Sequence, residues 1–375
     1  MKFTCDFDKF RNAFMLAYLC ADRNALNETL RSVKVTAEDG KLTLSANCVS
    51  NGLRITLDRA TIFDEGEILL PTEVVRRALA CNSNFTTFDL QTHGSNVSFL
   101  NGQYHGVPTR DTQDFTDMPF PEFAAYHVVK GTELRRLIKN TSFATETANS
   151  KYTLNGILLE FGDKELTAVS TDGRRMAVCS AVSEKVVGNV ATDNYAGDVI
   201  IVPSNGLPII YKVVEVTRED TYIITVKDGK LILRSENLDL AIQLLRGRYP
   251  KWRNVVPECN DWQYSVLDTK EFIDSIARVS AVNISKGGEP KFKCNFDGDA
   301  LTLESHSETG GFAEVQMLIR EVEGEPLSVN LTSAYASDFL KHANDAVTVF
   351  IQDGDGSPVV FKTGDNYKYI LMPMS

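Results

Sequence analysis

The chain has 375 residues, more than one hydrophobic core usually organises, and its 43% hydrophobic and 24% charged residues are those of ordinary globular protein. A formal net charge of −11 excludes a protein that grips nucleic acid over its whole surface, since such binding sets Lys and Arg against many phosphates, although a locally basic face stays possible. No apolar run approaches the roughly 20 residues of a membrane span, and MKFTCDFDKF carries acids where a signal peptide would be basic, so a cytoplasmic protein without membrane contact is expected.

The first predicted element, KFTCDFDKFRNAFMLAYLCA, reads as a short alternating strand, a polar cap at or near Asp8, and a helix with Phe10 and Phe14 on one face. The alternating strand GKLTLSA follows, then EGEILLPTEVVRRALA, in which an apolar strand runs into a Thr-led helix, then the strand SNVSFLNG. After the breakers Met118, Pro119, Phe120 and Pro121 the same order returns. YHVVKGTELRRLIKNTSFAT carries Leu134 and Ile138 behind a cap near Thr132, and KELTAVST, GDVIIVPSNGLPIIYKVVE and GKLILRSE come after it. Beyond Tyr249 and the stretch from Pro250 to Pro257 the third copy begins. WQYSVLDTKEFIDSIARVSAV carries Phe272 and Ile276 behind a cap near Thr269, ahead of ALTLES, EPLSVNLTSAYASDFLKHA and SPVVFKTG.

Three copies of one pattern fix an α+β fold of three repeated domains, 1–121, 122–256 and 257–375. Two helices cannot cover both faces of so many antiparallel strands, so each domain should carry both on one sheet face. Seven cysteines, Cys5, Cys20, Cys48, Cys81, Cys179, Cys259 and Cys294, are odd in number and never spaced C-x-x-C, which predicts free buried thiols.

Three strings, YTLNGILLE with TDGRRMAVCS, then RGRYPKWRNVVP, then the terminal YILMPMS, resemble the bacterial DNA polymerase III beta subunit family of sliding clamps over the whole chain. Departures lie at ALNETLRSVKV, where the family commonly has proline, and at the loop SKGGEPKFK. The resemblance implies a head-to-tail homodimer, a six-domain ring with its helices lining the hole. It implies a non-enzymatic processivity factor without cofactor. The implied partners are double-stranded DNA, the alpha subunit of the replicative polymerase, the clamp loader and other proteins with a clamp-binding motif.

Helices that line such a hole should be basic on their outward faces. Lys9, Arg11, Arg76, Arg77, Arg135, Arg136, Lys139, Lys212, Lys270, Arg278 and Lys341 lie on or beside the six predicted helices. Arg23 joins them by its match to a basic loop position of the family. The bland alternative for any one of them is that Lys and Arg are good helix-surface residues.

A partner-peptide pocket follows from the resemblance, residue by residue. It maps to Leu154, Thr171, Gly173, Arg174, Arg175, Met176, Pro250, Val255, Ser357, Ile370, Met372, Pro373 and Met374. Adaptable methionines and aliphatic walls suit a short apolar peptide anchor, although core packing alone would explain each residue singly. Lys151, Asn254 and Ser375 depart from residues common in the family, which bears on partner preference. The dimer joint should set Tyr104 and Val107 of one subunit against the region from Ile276 to Ile284 of the other.

Catalytic signatures such as G-x-S-x-G, a Walker loop or H-E-x-x-H do not occur, and the five histidines lie far apart. Two alternatives stand beside the clamp. One is a metal-dependent nucleic-acid phosphodiesterase using Asp172, Asp353 and Asp355. The other is an adaptor that binds peptides but never DNA.

Overall fold

A computed structural model of the chain describes residues 1–22, 24–81, 84–146, 152–190, 199–282, 290–307, 310–353 and 356–374. Among the described residues each sequence copy holds two complete α-helices: α1 (Phe7–Cys20) and α2 (Thr72–Cys81), α3 (Gly131–Thr141) and α4 (Leu207–Thr217), α5 (Thr269–Ser280) and α6 (Ser333–Leu340). Phe10 and Phe14, Leu134 and Ile138, and Phe272 and Ile276 are all buried, as helical periodicity requires.

The caps sit slightly earlier than the sequence suggested. Asp6, not Asp8, caps α1 by accepting from the Lys9 N–H at 2.9 Å, and Asp268, not Thr269, caps α5 by accepting from the Glu271 N–H at 2.9 Å. Helix α3 opens at Gly131, where a Cβ would come within 2.7 Å of the Glu219 carbonyl oxygen, so the close approach demands glycine. Helix α4 starts at Leu207 with Gly206 as its N-cap, leaving Ser204 outside the helix, its N–H donating to the Asn155 carbonyl.

Packing divides the chain into two compact units, Met1–Arg135 with Ser183–Gly197 and Asn205–Leu244, and Arg136–Val182 with Asp198–Ser204 and Leu245–Ser375. The first unit holds two antiparallel sheets. One has five strands in the order Thr61–Asp64, Lys2–Asp6, Thr87–His93, Asn96–Phe99, Tyr104–Pro108. The other has nine, and its two halves meet where Leu238–Gln243 pairs with Asn51–Asp58, Leu240 opposite Leu53. Strands from the first two sequence copies thus share one ladder, which satisfies backbone groups that an open edge would leave unpaired. Helix α1 packs on Lys41–Asn47 and Asn51–Asp58 and against α2 and α4, burying Phe10 in a stack with Phe88 at 3.8 Å between ring centroids.

The second unit repeats this plan. Its nine-stranded sheet runs Ile200–Pro203, Gly156–Phe161, Glu165–Thr171, Arg175–Val182, Tyr367–Leu371, Val359–Thr363, Ala346–Ile351, Gln263–Asp268, Glu321–Glu323. The join is Arg175–Val182 against Tyr367–Leu371, so strands of the second and third copies zip together. A four-stranded sheet runs Phe312–Leu318, Ala300–His306, Lys291–Asp297, Leu327–Thr332, with α5 packed on it and against α6.

All seven cysteines are free thiols. Cys5, Cys20, Cys179 and Cys294 are buried, Cys48 and Cys259 are half-buried, and Cys81 departs from expectation by lying exposed at the end of α2. Burial pushes the Cys5 thiol up to about 12, helped by neighbouring Asp6, and so keeps it protonated and inert.

Candidate functional site

The basic residues expected on the helices divide by what holds them. Lys9, Lys139 and Lys270 are exposed on α1, α3 and α5. Several others sit in short-range ion pairs with acids of their own helix: Arg11 with Asp8 at 4.0 Å, Arg76 with Glu73 at 3.1 Å, Arg77 with Glu73 at 3.8 Å, and Lys212 with Glu215 at 2.7 Å. Lys341 caps the C-terminal end of α6, 3.4 Å from Asp338. Arg135 reaches the Tyr211 hydroxyl at 3.1 Å, and Arg278 donates to the Asp274 carbonyl and to Ser275 Oγ. Exposed pairs of this kind are weak, roughly 0–1 kcal/mol, so a phosphate can compete for the cation.

Arg136 differs from the rest. Its guanidinium donates to the Ser180 carbonyl oxygen at 2.5 Å and approaches Cys179 Sγ at 3.1 Å, tying α3 to the strand Arg175–Val182. It is better placed to hold that helix on its sheet than to meet DNA. Arg23 lies outside the described residues.

The expected peptide site lies wholly within the second unit. Leu154, Met176 and Ile370 are buried together in one apolar cluster with Leu158, Val169, Val178, Ile201, Tyr249 and Val360. Register explains the assembly: Met176 stands opposite Ile370 across one ladder, and Ile370 opposite Val360 across the next, so all three side chains rise from the same sheet face. The linker folds over this face. The Tyr249 hydroxyl donates to the Val169 carbonyl at 3.1 Å and Trp252 Nε1 to Glu160 Oε1 at 3.0 Å, pinning both aromatic rings to the sheet.

The turn after Glu165–Thr171 forms one lip. Gly173 sits at φ +88°, and its N–H donates to Thr171 Oγ1, while Thr171 Oγ1 donates to the Arg175 carbonyl at 2.7 Å. Met372 continues the terminal strand past this turn, its N–H donating to the Arg174 carbonyl at 3.0 Å. Arg174 is exposed, and Val255 and Met372 leave apolar side chains 53% and 40% exposed. Pro250, Ser357, Pro373 and Met374 are half-buried and stand outside the cluster, and the Met374 N–H donates to the Asn330 carbonyl.

Arg175 does not face this cluster. Strand alternation points it away from Met176, and its guanidinium is held by Asp172 at 2.8 Å, Asp338 at 2.9 Å and the Phe143 carbonyl at 2.9 Å, over the Tyr335 ring. Burial alone would lower its basicity, but Tyr369, Asp338 and Asp172 outweigh burial and raise it, so the cation is permanent. Asp172 meanwhile accepts from the Arg174 and Arg175 N–H groups, which commits it to the turn.

A family model for the DNA polymerase III beta subunit, central domain, matches residues 128–251. The beta sliding clamp of Rickettsia bellii is 26% identical over 94% of this chain and 93% of its own length, and that of Staphylococcus aureus (strain Mu50) is 24% identical over 92% and 91%. Residues 128–251 thus carry the central domain of a DNA polymerase III beta subunit, and the chain along nearly its whole length is similar to beta sliding clamps. A solved Pseudomonas aeruginosa clamp of this family, bound to griselimycin, shares the fold with a TM-score of 0.87 at 22% identity, covering 100% of this chain and 99% of that one. Clamps are processivity factors rather than catalysts. The phosphodiesterase alternative gains nothing: Asp172 is committed to Arg175, Asp355 lies outside the described residues, and no three potential metal ligands cluster among the described residues. No helix among the described residues is long and apolar enough to cross a membrane.

At the expected dimer joint, Tyr104 and Val107 lie on the outermost strand of the five-stranded sheet, Tyr104 stacked on Phe99 at 5.0 Å. Ile276 is a correction. It is 1% exposed, packed into the core beneath α5, and cannot itself touch a second subunit, whereas Ile273 on the same helix is only half-buried. Ile284 lies outside the described residues. The sequence reading missed Tyr249, Val360 and Trp252 as parts of the apolar site. Tyr249 and Trp252 stand inside the RGRYPKWRNVVP string already singled out, and parity along SPVVFKTG would have pointed to Val360 once its partner strand was known.

Proposed function

We propose that two copies of this chain close head to tail into a six-domain ring around double-stranded DNA, with domains 1–121, 122–256 and 257–375 in each. The ring works in the cytoplasm as the processivity factor of the replicative polymerase. The apolar cluster around Leu154, Met176 and Ile370 anchors short peptides of the polymerase alpha subunit, of the clamp loader and of other proteins with a clamp-binding motif. The observation that carries this reading is the convergence of three distant strings, 171–180, 249–256 and 367–374, on one sheet face, with Val255 and Met372 exposed beside a buried apolar floor.

Two strand edges support closure. Tyr104–Pro108 ends one sheet, and Phe312–Leu318 ends another with Phe312 and Leu318 exposed. Such apolar edges invite pairing with a second chain, and a closed homo-oligomer leaves none open. A chain of net charge −11 with Lys9, Lys139 and Lys270 on its helices suits sliding, because encirclement replaces tight binding and weak contacts permit movement. Deleting 372–375 removes one lip of the pocket while sparing the ladder Arg175–Val182 with Tyr367–Leu371. A fluorescent peptide carrying a glutamine and a terminal Leu-Phe pair is then titrated against the parent and the truncated protein. Weaker binding by the truncated protein is expected; equal affinities contradict the site.

A further inference from the structure

The sheet face that carries the apolar cluster also carries two lysines with no place in the reading above. Lys362 and Lys368 stand directly opposite each other on neighbouring antiparallel strands. They lie two residues from Val360 and Ile370 respectively, so strand alternation puts all four side chains on one face. Like charges set directly across a ladder destabilise it. Neither lysine makes an ion pair among the described residues, although Lys362 is only partly exposed. Both line a groove of about 590 Å³, in the size range of ligand sites, whose floor and walls include Trp252, Phe350, Val360 and Cys259.

The other charges of the groove do not cancel the pair. Arg253 is held by Glu160 at 2.6 and 2.9 Å, which leaves Glu258 as the one acid on the rim among the described residues, against two lysines without an ion pair there. The field reaches Cys259: burial raises its thiol, and Lys368 and then Lys362 pull it back. The groove is also continuous with the peptide site, because Val360 belongs to the buried cluster and Trp252, Val256, Cys259 and Phe350 pack against it.

We propose that Lys362 and Lys368 form a second subsite, which receives acidic residues flanking the apolar anchor of a bound peptide. This rests on the reading of the cluster as a peptide site. A carboxylate between the two ammonium groups relieves their repulsion and is held by both, and aromatic walls cover the aliphatic parts of an extended acidic segment. An apolar floor shared with the anchor site favours a peptide over the backbone of a nucleic acid. The subsite then sorts partners by the charge beside their motif, acting on affinity and association rate through electrostatic complementarity.

The test uses three fluorescent peptides with one apolar anchor: a neutral peptide, one with three acidic residues before the anchor, and one with three after it. Each is titrated against the full-length parent and against Lys362→Gln/Lys368→Gln. The parent should prefer one acidic peptide by about fivefold, a preference lost in 0.5 M salt, on the scale of two exposed charge contacts. The double variant should bind all three as the parent binds the neutral one, with a thermal midpoint no lower than the parent's, since like-charge repulsion has been removed. Equal binding of all three by the parent overturns the subsite but leaves the pocket standing. No binding of any peptide removes the pocket, and the subsite with it. If the double variant keeps its acidic preference but loses retention on duplex DNA, the lysines serve phosphates and the proposal is overturned.

Discussion

Met176 and Ile370 stand directly opposite each other on adjacent antiparallel strands, although they belong to different sequence repeats. The floor of the candidate peptide site therefore exists only where the second and third copies zip into one sheet. Ile370→Ala would open a cavity in that floor. It should cost about 2–5 kcal/mol, read as a lowered urea midpoint at unchanged slope, and weaken an apolar-anchor peptide more than tenfold.

Arg175 separates structure from binding. Its replacement by Met leaves the mostly buried Asp172 without its cation and Asp338 with Lys341 alone, a loss on the order of 3 kcal/mol visible as a lower thermal midpoint. Because the guanidinium points away from Met176, peptide affinity measured well below the midpoint should stay within twofold of the parent. A large selective loss of peptide binding would place Arg175 in the pocket after all.

The helices were legible because amphipathic periodicity is local. Phe10, Leu134 and Phe272 announce their buried faces within a few turns, and three recurrences exclude accident. Sheet partners were not legible, since nothing near Asn51–Asp58 records that its neighbour is Leu238–Gln243. The same gap bears on Arg175: its string was recognised as a whole, but only strand parity tells that Met176 faces the apolar cluster and Arg175 the opposite side. Ile276 failed for a related reason, because an apolar helix residue can face a core or a partner, and only packing decides.

His127 offers a pH readout. It is 1% exposed and bonded through Nδ1 to Ser183 Oγ at 2.8 Å, and burial holds its imidazole below the ordinary value. The unfolded chain, with a histidine near pKa 6.5, takes up the proton first, so stability should fall as the pH drops below about 6.5. His127→Asn should flatten the slope of unfolding free energy between pH 7 and pH 5 relative to the parent. Part of the slope should persist, because His342 is shifted downward too, by burial first and then by Lys139.

Lys9, Lys139 and Lys270 are exposed cations on three helices of the chain. Replacing all three by Gln should leave the thermal midpoint within about 1 kcal/mol of stability, since exposed charges contribute little. Residence on DNA should shorten severalfold and become less sensitive to salt. Unchanged residence would show that these lysines do not meet phosphate.

Dimerisation should depend on the strand edges. The parent should sediment at twice 41.6 kDa at micromolar concentration, and Phe312→Asp with Leu318→Asp should shift it toward the monomer without changing the helix content. A parent that is monomeric at that concentration would be incompatible with the ring.

Encirclement is tested most directly by topology. The labelled protein is loaded onto a nicked circular duplex by the clamp loader of its own cell, and the complex is passed through gel filtration in 0.3 M salt before and after one restriction cut. A ring held by topology stays with the intact circle and is released when the DNA is made linear. Retention that is equal on the circular and the cut DNA would contradict the account, because the protein would then be bound by contacts rather than threaded on the duplex.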